Sequence, residues 1–120
     1  MSHQSRAASG STFRVYYMRP EWFREGIMGV RPDPLKLDET HVFVRSVEAA
    51  NLEHVFALCQ GEVWSPNGEA RELIRRLKIQ HTSMSVGDVV IDSAGRVFMV
   101  AMFGFADITD GNDDGEGEAS

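Results

Sequence analysis

The fold is decided by the stretch from Val86 to Phe103, VGDVVIDSAGRVFMVAMF. It contains two runs of strand-forming residues, 86–92 and 96–103, joined by Ser93-Ala94-Gly95, a connection short enough for a β-hairpin. The second run is apolar on both of its faces. Such a run is typical of a central strand that is covered on both sides. The stretch therefore predicts a hairpin inside a sheet.

Two upstream segments predict further strands. Thr12 to Met18 (TFRVYYM) is rich in strand formers and alternates Phe13, Val15 and Tyr17 on one face. His41 to Val47 has the same character. We therefore expect a small, mainly antiparallel sheet built from strands near 12–18, 41–47, 86–92 and 96–103.

Two helices are predicted between the second and third strands. The first, near 50–60, has an apolar stripe at helical spacing, and Gly61 is well placed to end it. The stripe consists of Leu52, Val55, Phe56 and Cys59. The second, near 66–78, has Ser65 as a cap and Pro66 in its first turn. Its stripe consists of Ala70, Leu73, Ile74 and Leu77.

A third, short helix is predicted from Pro20 to about Glu25, with Gly26 at its end. The following segment, 29–39, holds two prolines and is expected to be an ordered loop. The chain is therefore predicted to adopt an α+β fold in which the sheet packs against two or three helices. We expect one domain at 12–108, between a disordered N-terminal segment at 1–11 and a disordered acidic tail at 109–120.

The net charge of −6 is concentrated at the C-terminal end. Five acids and no base follow Thr109, and the rest of the chain has 13 acids and 12 bases, a balance of −1. The five acids are Asp110, Asp113, Asp114, Glu116 and Glu118. A nearly neutral core does not favour a basic nucleic-acid binder. The tail either solubilises the protein or docks on a basic partner.

Cysteine usage and hydropathy indicate a compartment. Cys59 is the only cysteine, so no intrachain disulfide can form and a reducing, cytoplasmic setting is expected. No apolar run approaches the roughly 18 residues that span a bilayer, and the N-terminus does not resemble a secretory signal. We expect no membrane association.

The residues that could support catalysis do not form a recognised motif. His81, Ser83, Ser85 and Asp88 lie within eight residues of one another, but nucleophilic catalysis needs a specific geometry that sequence proximity does not supply. Cys59 lies on an apolar helix stripe, where core packing is expected. No metal-ligand spacing, dinucleotide fingerprint or phosphate loop is present. We predict no catalytic residue, no metal and no cofactor.

Two groups of residues are candidates for binding. The first is the loop from 81 to 88, with His81, Thr82, Ser83, Ser85 and Asp88. The second is a set of candidate anchors at the second helix, Trp64, Asn67 and Arg71. The alternative interpretation of the loop is that its Ser and Thr hydroxyls form hydrogen bonds with its own backbone. Asp88 would then close a turn, and Gly87 would supply a permissive backbone conformation. The alternative for Trp64 is core packing.

The residues from His81 to Val90 (HTSMSVGDVV), followed by Gly95, Val97-Phe98-Met99-Val100 and Gly104-Phe105, resemble the YodL-like domain family. That family has a similar His-Ser-(Leu or Met)-Ser-Val stretch before a strand pair that ends in Gly-Phe. The resemblance covers roughly Val55 to Ile108. Gly87 stands where the family pattern has serine, which indicates different loop chemistry.

The resemblance implies a setting more than an activity. Such domains occur in proteins of phages, plasmids and other mobile elements, and no catalytic residue can be carried over to this chain. We therefore expect a non-enzymatic accessory domain that binds a protein partner. One alternative is an inhibitor of a host defence system, of the anti-CRISPR or anti-restriction type, acting by binding or by acidic mimicry. A second is a small nucleic-acid-binding module of the PUA or ASCH kind, suggested by the VGDVV segment; direct nucleic-acid binding is not expected.

Overall fold

Five strands form one antiparallel sheet in the computed structural model, which describes residues 11–28 and 30–109. The strands are β1 (Ser11–Met18), β2 (His41–Ala49), β3 (Val89–Ile91), β4 (Val97–Val100) and β5 (Phe105–Asp107). Their order across the sheet is β2-β1-β3-β4-β5, and each neighbouring pair is antiparallel. The predicted α+β fold is confirmed. Disorder was predicted for 1–11 and 109–120, but Ser11 begins β1 and Thr109 accepts a hydrogen bond from the backbone N–H of Val97. The rest of these predicted segments, 1–10 and 110–120, lies outside the described residues.

Short helices connect and cover the strands. They are α1 (Phe23–Ile27), α2 (Leu37–Thr40), α3 (Leu52–Leu58), α4 (Gly61–Trp64) and α5 (Arg71–Arg76). Two 3₁₀ turns, Pro20–Trp22 and Pro34–Lys36, precede α1 and α2. The segment 29–39, predicted to be an ordered loop, therefore contains the second of these turns and the start of α2. No helix in the described part of the chain combines the length and apolarity needed to cross a bilayer.

The predicted strand at 96–103 is shorter than expected and ends in a turn. β4 ends at Val100, the backbone turns at 102–104, and β5 returns alongside β4. The backbone N–H of Ala101 donates to the carbonyl oxygen of Gly104 at 2.8 Å, and Gly104 has φ +84. A continuous apolar run hides this turn, because only the glycine marks it.

The predicted helix at 66–78 is shorter than expected. Ser65 does not cap a helix that starts at Pro66; its hydroxyl accepts instead from the backbone N–H of Ala70 at 2.8 Å. Gly68, at φ +85, bends the intervening turn, and the helix begins only at Arg71. Gly61 likewise does not end a helix but begins α4. A side-chain cap is found instead at the N-terminus of α3, where the Asn51 side chain accepts from the backbone N–H of His54 at 2.8 Å.

The sheet is apolar on both faces. Helices cover one face, where buried residues from β1, β2, α3 and the 79–84 segment meet Val90 and Val100. A smaller cluster lies on the opposite face and consists of Leu37, Val89, Val97, Met99 and Ile108. Because successive strand residues point to opposite faces, Val89 and Val90 belong to different clusters. The two-sided burial predicted for 96–103 is confirmed at Met99 and Val100, which are both buried, and is wrong at Met102 and Phe103, which are exposed.

Candidate functional site

The loop from 81 to 88 is organised around the buried carboxylate of Asp88. Oδ1 accepts from the backbone N–H of Met18 at 2.7 Å, and Oδ2 accepts from the N–H of Ser85 at 2.8 Å. Nε2 of His81 lies 2.9 Å from Oδ2. Because an ionised carboxylate only accepts, the imidazole nitrogen must be the donor. Asp88 therefore fastens both ends of the loop to the end of β1.

The imidazole of His81 is partly buried and packs against two aromatic rings. It stacks on the ring of Tyr17, with centroids 4.5 Å apart, and meets the edge of Phe23 at 5.5 Å. Its second nitrogen, Nδ1, is enclosed and has no hydrogen-bond partner in the described part of the chain. With Nε2 bonded to Asp88, neither nitrogen is placed to activate Ser83 or Ser85. These residues do not form a catalytic triad.

Thr82 and Ser83 use their polar groups to hold neighbouring elements. The carbonyl oxygen of Thr82 accepts from the hydroxyl of Tyr17 at 2.7 Å and from Nε1 of Trp64 at 2.9 Å. The hydroxyl of Ser83 accepts from the backbone N–H of Gly61 at 2.7 Å. The loop thus bonds to β1 and α4 rather than only to itself.

Trp64 belongs to this internal network. Its ring is half-buried and packs on the main core, and the Arg45 guanidinium lies 4.6 Å from its centroid. The other two predicted anchors are exposed and lie apart from the loop's hydrogen bonds. Asn67 donates from its backbone and side chain to the carboxylate of Glu69, at 2.9 and 3.3 Å, and Arg71 begins α5.

Burial shifts the titration of three groups around the loop. Burial raises the pKa of the Tyr17 hydroxyl above its ordinary value, and it raises the pKa of the Cys59 thiol to about 11. The thiol is fully buried, so the predicted core position of Cys59 is confirmed. Burial lowers the pKa of His41, which lies in the protein interior.

His41 is a loop-supporting residue that sequence reasoning missed. Its Nε2 donates to the carbonyl oxygen of Gly87 at 2.6 Å, and Thr40 Oγ1 lies 2.7 Å from its Nδ1. Gly87 itself has φ +96, and a Cβ atom there would lie 2.7 Å from Sδ of Met18. The prediction that Gly87 supplies a permissive backbone conformation is confirmed, and the closeness of Met18 is a second reason why a side chain does not fit there.

Ser85 and Val86 are the part of the loop that faces an open space. They line a hollow of about 470 Å³ between α3, the loop and the β4–β5 turn. The other lining residues are Glu53, Phe56, Met84, Val100, Ala101, Met102, Gly104 and Phe105. Glu53 is the only ionisable side chain in this set. The hollow is therefore mainly apolar.

Two smaller hollows adjoin the first and share Val86 with it. One, of about 380 Å³, extends past Met102 and Phe103 to Met28 and Arg31. The other, of about 350 Å³, extends past Ser85 to Met18, Phe23 and His81. The β4–β5 turn lies between the 470 Å³ and 380 Å³ hollows and carries Met102 and Phe103, whose side chains are 76% and 94% exposed. We call this region the Val86 surface and define it by Phe56, Val86, Met102, Phe103 and Phe105.

Sequence reasoning missed most of the Val86 surface. Met102 and Phe103 were assigned to a covered strand, because the apolar run from Val97 to Phe103 has no polar interruption. The available signal was Gly104, which stands between two phenylalanines where a buried strand would carry a side chain. A turn at that glycine places the preceding residues in solvent.

The described residues include no group of three His, Cys, Asp or Glu side chains that could hold a metal ion. In comparisons with known proteins, no family model, no curated protein and no solved structure matches the chain.

Proposed function

We propose that this chain is a non-enzymatic protein-interaction domain that binds its partner through the Val86 surface. The observation that carries the proposal is the exposure of Met102 and Phe103 beside an apolar hollow of about 470 Å³. Adjacent exposed apolar side chains cost solubility, and contiguous patches of them mark interaction sites. A projecting aromatic residue next to a pocket is also the usual composition of an interface hot spot.

The charges around the Val86 surface favour a protein partner over nucleic acid. Its hollows include one acid, Glu53, and one base, Arg31, apart from His81. Binding to a phosphate backbone needs several Lys or Arg side chains on one face. An apolar centre with sparse charges of both signs is instead the composition of a protein interface.

The 81–88 loop has a supporting role in this proposal. His81, Ser83 and Asp88 bond to β1, α4 and one another, which fixes the backbone that carries Ser85 and Val86. The loop thus presents two residues to the partner and holds them in place with the others. The setting in a phage, plasmid or other mobile element is the part of the proposal that derives from the family resemblance.

The test is an affinity capture with matched variants from a nuclease-treated host lysate, to which an untagged copy of this chain is added. Phe103→Asp places a charge at the centre of the surface, and Leu35→Asp does the same at an equally exposed leucine (92% exposed) that lines none of the three hollows. We expect the same protein to be captured by the wild type and by Leu35→Asp, and to be lost with Phe103→Asp. With the purified partner, the affinity loss should be at least about tenfold.

Two results would count against the proposal. Equal capture by Phe103→Asp would show that the Val86 surface is not the binding site. Capture that survives Phe103→Asp but disappears at high salt and on deletion of residues 110–120 would favour the acidic-mimic alternative instead.

A further inference from the structure

The Val86 surface carries both a projection and a recess. Phe103 is almost wholly exposed at the β4–β5 turn, and the 470 Å³ hollow beside it is open and apolar. In a twofold dimer of identical chains, every contact occurs twice. If one residue of the first chain contacts a second residue of the other chain, the same two residues also meet with the chains exchanged. A projection and a recess side by side on one surface meet that requirement, because each copy can supply both.

The chain's own ends are poor candidates for filling the hollow. The segments outside the structure at either end, 1–10 and 110–120, contain no aromatic or β-branched residue. Their apolar residues are Met1, Ala7, Ala8 and Ala119. Burying so little apolar surface cannot offset the entropy of ordering such a segment. Neither segment offers the hollow an apolar side chain comparable in size to Phe103.

The charges on the surface are also self-complementary. Glu53 lines the 470 Å³ hollow, and Arg31 lines the hollow on the other side of Met102. Reversing a second copy over this surface exchanges the two sides, so that Arg31 of each chain approaches Glu53 of the other. Residues 11–109 carry 13 acids and 11 bases, so they contribute −2 of the net charge of −6 of the full chain.

We propose that the Val86 surface binds a second copy of this chain in a twofold dimer. Phe103 of each chain enters the hollow of the other, and Arg31 pairs with Glu53 of the opposite chain. This inference rests on the proposed function, because it names the partner of the same surface.

Sedimentation equilibrium of the full chain over a wide concentration range tests the dimer. We expect the wild type and Leu35→Asp to move from the monomer mass toward twice that mass as concentration rises. Phe103→Asp and Phe103→Ala should weaken the association by at least about tenfold. Both positions are exposed, so the circular dichroism spectra of all variants should match that of the wild type. A wild type that stays monomeric, or an association that ignores Phe103, overturns the inference.

A charge exchange tests the twofold arrangement directly. Arg31→Glu and Glu53→Arg should each weaken self-association, because each alone places like charges together. An equimolar mixture of the two variants should restore it, since both contacts in the mixed dimer again join opposite charges. Absence of rescue in the mixture contradicts this arrangement.

The inference and the proposed function can fail separately. A monomeric chain that still captures a different protein through Phe103 overturns the dimer and leaves the interaction domain standing. If Phe103→Asp alters neither self-association nor capture, both fail together.

Discussion

Nε2 of His81 lies 2.9 Å from Oδ2 of Asp88, and this hydrogen bond joins the two ends of the 81–88 loop. A histidine bonded to a buried aspartate is also found in hydrolytic enzymes, where the free nitrogen of the ring activates a nucleophile. Here that nitrogen is enclosed and lacks a partner in the described part of the chain. The pair therefore fastens the loop, and its loss should appear first as a loss of stability.

Replacing Asp88 with asparagine should destabilise the protein by about 2–4 kcal/mol. The carboxylate accepts from two backbone N–H groups and from His81. An asparagine side chain offers one acceptor oxygen and turns an N–H₂ group toward at least one of these donors. The free energy of unfolding in urea measures the loss.

Asp38→Asn is the matched control for Asp88→Asn. This substitution makes the same chemical change at an exposed position. We expect its unfolding free energy to stay within about 0.5 kcal/mol of the wild type. If the two variants lose similar stability, Asp88 does not organise the loop.

Alanine should be far less tolerable at Gly87 than at Gly95. Both glycines have φ near +90, at +96 and +89, so both variants carry a similar backbone strain of about 1–2 kcal/mol. Only at Gly87 would the added Cβ overlap Sδ of Met18, while nothing lies within 4 Å of it at Gly95. Gly87→Ala should therefore cost about 1–3 kcal/mol more than Gly95→Ala. Equal losses in urea unfolding would mean that Met18 moves aside freely.

Alternation and helical spacing predicted most of the fold. Phe13, Val15 and Tyr17 alternate because one face of β1 lies on the core, and all three are buried. The hairpin was predictable because Gly95 stands between two apolar runs, and Asp92 now caps that turn by accepting from the N–H groups of Ala94 and Arg96. Local patterns succeed where local interactions determine the structure.

The failures occurred where contacts distant in sequence decide the structure. Gly61 begins a helix because its N–H bonds to the hydroxyl of Ser83, 22 residues away. The predicted loop residues do cluster in space, but His81 and Asp88 turn inward and only Ser85 remains exposed. Phe103 was not predicted to be a surface residue because it ends a continuous apolar run, and only Gly104 marks the turn.

The protein should lose stability as the pH falls below about 6.5, the ordinary value for histidine. Burial lowers the pKa of His41 in the folded state, so as the pH falls His41 binds a proton in the unfolded chain before it does so in the folded chain. The contribution of His41 to the free energy of unfolding is complete at pH values above the pKa of this histidine in the unfolded chain. It is lost as the pH falls, by no more than about 1.4 kcal/mol per pH unit. Urea unfolding at a series of pH values gives this slope.

His41→Gln should flatten that slope, since glutamine does not titrate and can still donate to the carbonyl oxygen of Gly87. His54→Gln serves as the control, because His54 is exposed and its Nδ1 only accepts from the nearby backbone N–H of Ala50. The explanation is wrong if the slope between pH 5 and 6.5 is unchanged in His41→Gln.

The Cys59 thiol should react slowly in the folded protein. Burial raises its pKa from 9.0 to about 11, which lowers the thiolate fraction about 100-fold at neutral pH, and the fully buried side chain also excludes the reagent. Labelling with a disulfide reagent should thus be fast in urea and at least about 100-fold slower in buffer. Equally fast labelling in buffer would show that α3 opens readily.

Two serines of one loop should separate stability from binding. Ser83→Ala removes the acceptor for the N–H of Gly61 and should cost about 1 kcal/mol of stability, while any interaction through the Val86 surface persists. Ser85→Arg places a long charged side chain at the mouth of two hollows, from an exposed position. It should weaken binding while thermal unfolding stays near that of the wild type. The opposite pattern, with binding sensitive to Ser83 and indifferent to Ser85, would place the interaction surface on the α4 side of the loop.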